Sequence, residues 1–157
     1  MMRRQLMALI CFGLLALAGC VAHQAERSWQ QASIPPLQPG MARVWVLRMP
    51  SEAGFTSGAD PMVYANGAPL AQSTVFTVYY HDFPPGTYRF TVQAYGTPAN
   101  LVDSVVLAPG TDTYLQVQAV ANWQMGSTAG GASFAVMTMS PQEAKPYLPT
   151  MKYLGER

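Results

Sequence analysis

The imidazole of His81 stands beside the carboxylate of Asp82, and this pair is the first group of side chains that could do chemistry. A histidine that acts as a base needs a nucleophile within hydrogen-bond reach, for which Ser104 or Ser133 could serve. No nucleophile elbow or other motif supports either serine. The pair ends a predicted strand before a turn, where both side chains are expected to be solvated. The chain is therefore predicted not to be an enzyme.

Methionine thioethers are the second group. Met137 and Met139 stand two residues apart in a predicted strand and share a face, and soft thioethers bind Cu(I). Neither a histidine nor a third methionine lies at nearby spacing, and methionine commonly fills irregular cores. Core packing is therefore the expectation. The sequence offers too few histidine and cysteine ligands at the spacing of a zinc site. No metal and no cofactor is therefore predicted.

The thiol of Cys20 is the third group. Arg3 and Arg4 precede an apolar run, Leu6–Leu17, which is followed by small residues, an order typical of a secretion signal. The run is shorter than the roughly 20 residues that a membrane-spanning helix needs. The tetrapeptide Leu17-Ala18-Gly19-Cys20 at its end resembles the lipobox of bacterial lipoproteins at all four positions.

The lipobox resemblance implies that residues 1–19 are a signal peptide. Cleavage would fall between Gly19 and Cys20, and Cys20 would carry a diacylglycerol on its thiol and an acyl chain on its new amino group. Two or three acyl chains anchor a protein stably where one does not. Val21 stands where an inner-membrane retention signal usually has Asp. For a Gram-negative host, the resemblance therefore implies the outer membrane.

Processing would leave a nearly neutral chain. Cys11 leaves with the signal and Cys20 is lipidated, so neither a free thiol nor an intramolecular disulfide is expected. Loss of Arg3 and Arg4 leaves seven of the nine Lys and Arg residues, against eight Asp and Glu. The basic residues are scattered along the chain rather than clustered. Nucleic acid is therefore excluded as a predicted partner.

Residues 20–40 are predicted to form a lipidated tether. The segment is polar and alanine-rich, then carries Pro35, Pro36 and Pro39, and it lacks a sustained apolar period. As a flexible coil it would span about 25 Å. Trp29 is the exception in this segment, and either docking on the domain or insertion at the lipid interface would explain it.

After Gly40, short apolar runs alternate with Gly, Pro and Asn at the spacing of an all-β domain. Ala42–Met49 is apolar on both faces through its middle, which favours a central strand. Asn66-Gly67 between two β-prone runs predicts a hairpin, because both residues tolerate positive φ. Phe90 and Val92 alternate with polar residues, which is typical of a strand with one buried face.

The fold class predicted for residues 41–157 is all-β, an antiparallel β-sandwich of about eight strands with one short C-terminal helix. A small barrel is the alternative architecture. The helix is predicted from Ser140-Pro141-Gln142-Glu143, a capping box with proline at the first helical position.

The order of these features resembles the DUF2846 family (domain of unknown function 2846) of bacterial lipoproteins over roughly residues 41–148. The stretches that carry the resemblance are RVWVLR, a loop with Phe55, VYANGAPLA, FPPGTYRFTV, LAPGTDTYLQV and ASFAVMTMSPQEAKPYL. Ala68-Pro69 departs from the family, which tends to have charged residues there, and the following strand is richer in tyrosine. The resemblance implies a fold and an envelope location, but no chemistry.

Aromatic side chains offer a surface for ligands. On a solvated face, Trp45, Tyr64, Tyr79, Tyr80, Tyr95 and Trp123 could stack against sugars, although core packing is their commonest role. Tyr79 and Tyr80 are adjacent and point to opposite faces, so only one is expected in the core. Tyr79, His81 and Trp123, beside the Gly126–Gly131 loop, are the candidate contact residues.

The functional expectation is a non-catalytic, lipid-anchored envelope lipoprotein. It would act through protein contacts made by loops or by a sheet edge. The alternative is a module that binds peptidoglycan or another glycan of the cell envelope. The expected partners are the membrane, an envelope protein and, in the alternative, peptidoglycan.

Overall fold

The computed structural model describes residues 27–50, 59–93, 104–121 and 132–157. Eleven strands lie in these ranges: β1 (Arg27–Ser28), β2 (Ala42–Arg48), β3 (Met62–Ala65), β4 (Ala68–Gln72), β5 (Thr77–Phe83), β6 (Gly86–Tyr88), β7 (Phe90–Val92), β8 (Val105–Leu107), β9 (Asp112–Ala121), β10 (Ala132–Met139) and β11 (Lys152–Glu156). The helix α1 (Pro141–Ala144) and 3-10 turns at Trp29–Gln31 and Leu148–Thr150 complete the elements.

Six strands form the main sheet in the order β1-β11-β5-β2-β9-β10. Strand β2 lies near the centre, and all seven of its residues are buried, which confirms the predicted central strand. The pairs β11–β5 and β2–β9 are parallel, whereas the other neighbours are antiparallel. Parallel neighbours need long crossover connections, and here the layers that cover the sheet provide them.

Two small sheets, β4-β3-β7 and β6-β8, cover one face of the main sheet. Val44 and Val46 of the main sheet pack there against Val63 and Phe90, and all four are at most 1% exposed. Strands β3 and β4 form the predicted hairpin, with positive φ at Asn66 and Gly67. The sheets stay open, so the all-β sandwich with a short C-terminal helix is confirmed.

The N- and C-terminal segments cover the opposite face. Trp45 and Leu47 of β2 pack there among aromatic and aliphatic side chains, including Trp29, Leu148 and Tyr153. The Ser140 hydroxyl accepts from the Glu143 amide, and the Glu143 carboxylate accepts from the Ser140 amide, so the predicted capping box starts α1. Each face of the main sheet therefore carries a packed layer, and the terminal segments cover their face in part.

Trp29 docks on the domain, which decides between the two alternatives left open by the sequence. Its ring centroid lies 5.2 Å from that of Trp45 and 5.8 Å from that of Tyr153. Arg27 and Ser28 pair with Tyr153 and Lys152 as strand β1. Part of the predicted tether is therefore built into the fold.

Candidate functional site

Tyr79 lies inside the protein and not on a contact surface. Its side chain is 0% exposed between the main sheet and the small sheets, whereas Tyr80 is 2% exposed on the opposite face. The two rings point to opposite faces, as predicted, but both faces are covered. The assignment of Tyr79 to a contact surface and the expectation of only one core tyrosine are therefore wrong.

Asp82 forms an ion pair and is not solvated. Arg43 Nε lies 2.7 Å from Asp82 Oδ1, and Nη2 lies 2.8 Å from Oδ2. The side chains are only 4% and 11% exposed, respectively. The hydrogen bond to Asp82 raises the pKa of Arg43. Both oxygens of the Asp82 carboxylate thus accept from Arg43, and no described hydrogen bond joins them to His81.

His81 lies on the other face of β5 from Asp82, because adjacent strand residues point in opposite directions. The ring is half-buried, lies 4.6 Å from the Phe83 ring, and contacts the backbone oxygen of Arg157 through Nδ1. Ser104 is exposed, and no hydrogen bond in the described ranges joins it to His81. The side chain of Ser133, in β10, lies outside the described part. No Ser-His-Asp arrangement is therefore assembled among the described side chains.

Gly19, Cys20 and Trp123 lie outside the described residues. Within the described ranges, no helix combines the length and apolar character needed to cross a bilayer. The same ranges hold no group of three His, Cys, Asp or Glu side chains arranged around a common metal position.

Arg43 fastens the N-terminal segment to the main sheet. Its Nη1 donates to the Pro35 carbonyl at 2.8 Å, and its guanidinium carbon lies 4.0 Å from the centre of the Tyr80 ring. Trp45 Nε1 donates to Asp112 at 2.9 Å beside it. The charge of Arg43 is thus neutralised by Asp82 and shielded by aromatic faces. This cluster explains stability rather than binding.

A groove of about 680 Å³ opens where the terminal segment leaves part of the sheet uncovered. Side chains of β9 and β10 form one side, and the segment from Gln142 to Tyr147 forms the other. The lining residues are Met49, Pro50, Gln116, Gln118, Met137, Thr138, Met139, Gln142, Glu143, Pro146 and Tyr147. Tyr147 is 43% exposed. This groove is the candidate functional site.

Three of the lining residues are methionines. Met137 and Met139 share a face of β10 and are half-buried, and Met49 reaches the same groove from the end of β2. The sequence showed no third methionine near them, because Met49 and Met137 are 88 positions apart along the chain, whereas only strand β9 lies between β2 and β10 in the sheet. Methionine is unbranched and polarisable, so it adapts to differently shaped apolar groups. The groove can therefore accommodate apolar side chains of a ligand.

Glu143 is the one Asp, Glu, Lys or Arg residue among those that line the groove. Its Oε2 accepts hydrogen bonds from the amide and the hydroxyl of Ser140, both at 2.8 Å. Hydrogen bonding by the Ser140 amide and then by its hydroxyl lowers the pKa of Glu143. The groove thus carries an anion at neutral pH. Both bonds use Oε2, which leaves Oε1 to accept from a ligand.

Strand β10 forms the last strand at one end of the main sheet. Its residues from Ala132 to Met139 pair with β9, and β7 approaches it without pairing. Met137, Thr138 and Met139 belong to this strand and also line the groove. The groove and the outer edge of β10 therefore form one continuous surface. The sequence predicted contacts at a sheet edge but did not identify which strand forms that edge.

A scan against models of known protein families, a search of curated proteins and a search of solved structures each gave no match. The resemblance to DUF2846 therefore stays a prediction.

Proposed function

We propose that this protein is a non-catalytic, lipid-anchored envelope lipoprotein that works by binding another protein at the β10 edge and its groove. The observation that carries the proposal is the composition of that edge. Strand β10 is eight residues long and contains neither a charged residue nor a proline. Natural proteins usually protect exposed edges with such residues, so an edge without them is suited to pairing with a partner.

The lipid anchor belongs to the proposal through Cys20. Seven residue steps separate Cys20 from Arg27, the first residue of β1. A chain of that length spans at most about 25 Å, so lipidation would hold the domain close to its membrane. The tether would be far shorter than the segment 20–40 expected from the sequence.

The position of the anchor also gives the domain an orientation. Strands β1 and β10 are the two ends of the six-stranded sheet. Five spacings between neighbouring strands separate them by about 24 Å. An anchor next to β1 would hold that end of the sheet within about 25 Å of the lipid, whereas the β10 edge could extend up to about 24 Å farther out, where a partner can reach it.

The same surface is less suited to glycan binding. Trp45, Tyr79, Tyr80 and Tyr114 are buried, so they cannot stack on a sugar. Tyr147 is the one aromatic side chain that lines the groove. Glycan binding is therefore kept as an outcome of the test and not as a second proposal.

Cross-linking in intact cells of the native host tests the proposal. A short amine-reactive reagent is applied to cells with the wild-type protein and to cells with Cys20→Ser, and adducts to protein and to peptidoglycan are separated by muramidase digestion. We expect the wild-type protein to be bound to the membrane and to give a discrete protein adduct. Both the membrane binding and the adduct should be lost in the Cys20→Ser variant. Adducts to cell-wall fragments alone, or an unchanged adduct in Cys20→Ser, would overturn it.

A further inference from the structure

We infer that the β10 edge takes an extended peptide segment in which a lysine or arginine lies among apolar residues. The segment would pair with Val136–Met139 as an added strand and would direct its basic side chain to Glu143. This inference rests on the proposed function and deepens it by stating the chemistry of the partner.

The edge strands of the described sheets differ in how well they suit an added strand. The edge strand β1 has two residues, β7 has three, and β4 contains Pro69. A strand that short offers few hydrogen bonds, and proline removes a donor. Within the described ranges, β10 is therefore the edge that is long, uncharged and free of proline.

Apolar side chains of the groove lie beside the β10 edge. In a strand added to β10, alternate residues would point to the groove face, next to Met137 and Met139. Both methionines are half-buried, and Tyr147 lies across the groove with 43% of its surface exposed. Apolar side chains at alternate positions of the segment would cover these groups.

The groove lining carries a negative charge next to the β10 edge. Glu143 is the charged residue of the groove lining, and its Oε1 makes no hydrogen bond to any described group. A cation would complement this site, whereas an acidic segment would be repelled. A second copy of this chain fits poorly, because its own β10 contributes no cation.

The test uses the mature, lipidated chain in detergent. A random twelve-residue peptide library on phage is selected against it, and the selected peptides are synthesised together with versions in which glutamine replaces Lys or Arg. We expect selected sequences with a basic residue among alternating apolar ones. The Glu143→Gln variant keeps the capping box, since glutamine also serves at that position, and should bind about fivefold more weakly.

Two controls separate binding at the groove from a general charge effect. Lys145→Gln changes an exposed charge outside the groove lining and should leave the affinity unchanged. Amide hydrogen exchange reports strand addition directly. Because alternate residues of an edge strand direct their N–H groups outward, about two of the four amides in Val136–Met139 should gain protection when the peptide binds.

Selection of no peptide, of acidic peptides, or of peptides that bind Glu143→Gln as tightly as wild type would overturn the inference, as would protection confined to another part of the chain. Dimerisation of the peptide-free protein through β10 would overturn it in favour of a second copy. These failures are distinguishable from failure of the proposed function, which would appear as cell-wall adducts alone in the cross-linking experiment.

Discussion

The ring of Trp29 meets the ring of Trp45 edge-on, with 5.2 Å between centroids and 66° between planes. Trp29 also makes an edge contact with Tyr153, at 88°. Trp45 lies in the central strand β2 and Tyr153 in the C-terminal strand β11. One residue of the N-terminal segment therefore joins two distant parts of the chain.

Replacing Trp29 by alanine should destabilise the domain although Trp29 precedes the first long strand. Loss of the ring contacts and of partly buried apolar surface should lower the free energy of unfolding by about 2–4 kcal/mol. Urea unfolding followed by circular dichroism measures the change. Gln30→Ala, at an exposed neighbouring position, is the matched control and should be near neutral. Equal stability of the two variants would contradict the packing role of Trp29.

Removal of Asp82 alone should lower the free energy of unfolding more than removal of both Arg43 and Asp82. Asp82→Ala leaves the guanidinium of Arg43 buried at 4% exposure, and we expect a loss of about 3 kcal/mol. The double variant Arg43→Met with Asp82→Leu removes both charges and should recover most of that loss. Chemical denaturation of the two variants and wild type gives the comparison. A double variant less stable than Asp82→Ala would contradict the account.

The buried hydroxyl of Tyr79 has no hydrogen-bond partner among the described residues. Burial of the unpaired group is costly, so Tyr79→Phe should leave the protein as stable as wild type or stabilise it by about 1 kcal/mol. Tyr80→Phe is the contrasting control, because the Tyr80 hydroxyl accepts from Tyr153, and that variant should lose stability. Thermal unfolding distinguishes the two. A large loss in Tyr79→Phe would reveal a partner for its hydroxyl.

Stability should fall at alkaline pH. Burial, and after it the neighbouring Tyr80, raise the pKa of Tyr153 to about 12. A phenol with a folded pKa above its unfolded value of about 10 keeps its proton longer in the folded state. Its contribution is therefore complete below pH 10 and is lost as pH rises from 10 to 12. Burial shifts the pKa values of Tyr79, Tyr80 and Tyr114 in the same direction.

Urea unfolding at a series of pH values from 8 to about 11.5 checks this dependence. The free energy of unfolding should be flat to pH 9 and then decline. The Tyr153→Phe variant, which removes one of the titrating groups, should decline less steeply. An identical decline in the variant and wild type would show that Tyr153 does not contribute.

Local sequence signals predicted the local structure well. The Asn66-Gly67 turn, the capping box at Ser140 and the central strand beginning at Ala42 all depend on residues close together in the chain. The parallel pairs of the main sheet were not predicted, because the connections between their strands pass through several other strands and, between β5 and β11, also through α1. Strand pairing at that distance has no periodic signature in the sequence.

The sequence predicted that the candidate site could be a sheet edge, but it did not identify the strand. Tyr79 was assigned to a surface because alternation shows which side chains share a face but does not show whether that face is covered. Met49 and Glu143 were not connected with the site, since one lies at the end of β2 and the other in a helix cap. Their proximity arises from the tertiary fold, which residue spacing does not encode.

Site-specific photo-crosslinking in the native envelope tests the central claim most directly. A photoreactive amino acid replaces Thr138 on the β10 edge or, as the matched control, Val106, which is 75% exposed in β8. Each is placed in the wild-type chain and in Cys20→Ser. We predict one discrete protein adduct from position 138, which is lost in Cys20→Ser and is absent from position 106. The same adduct from both positions, or adducts to peptidoglycan alone, would contradict it.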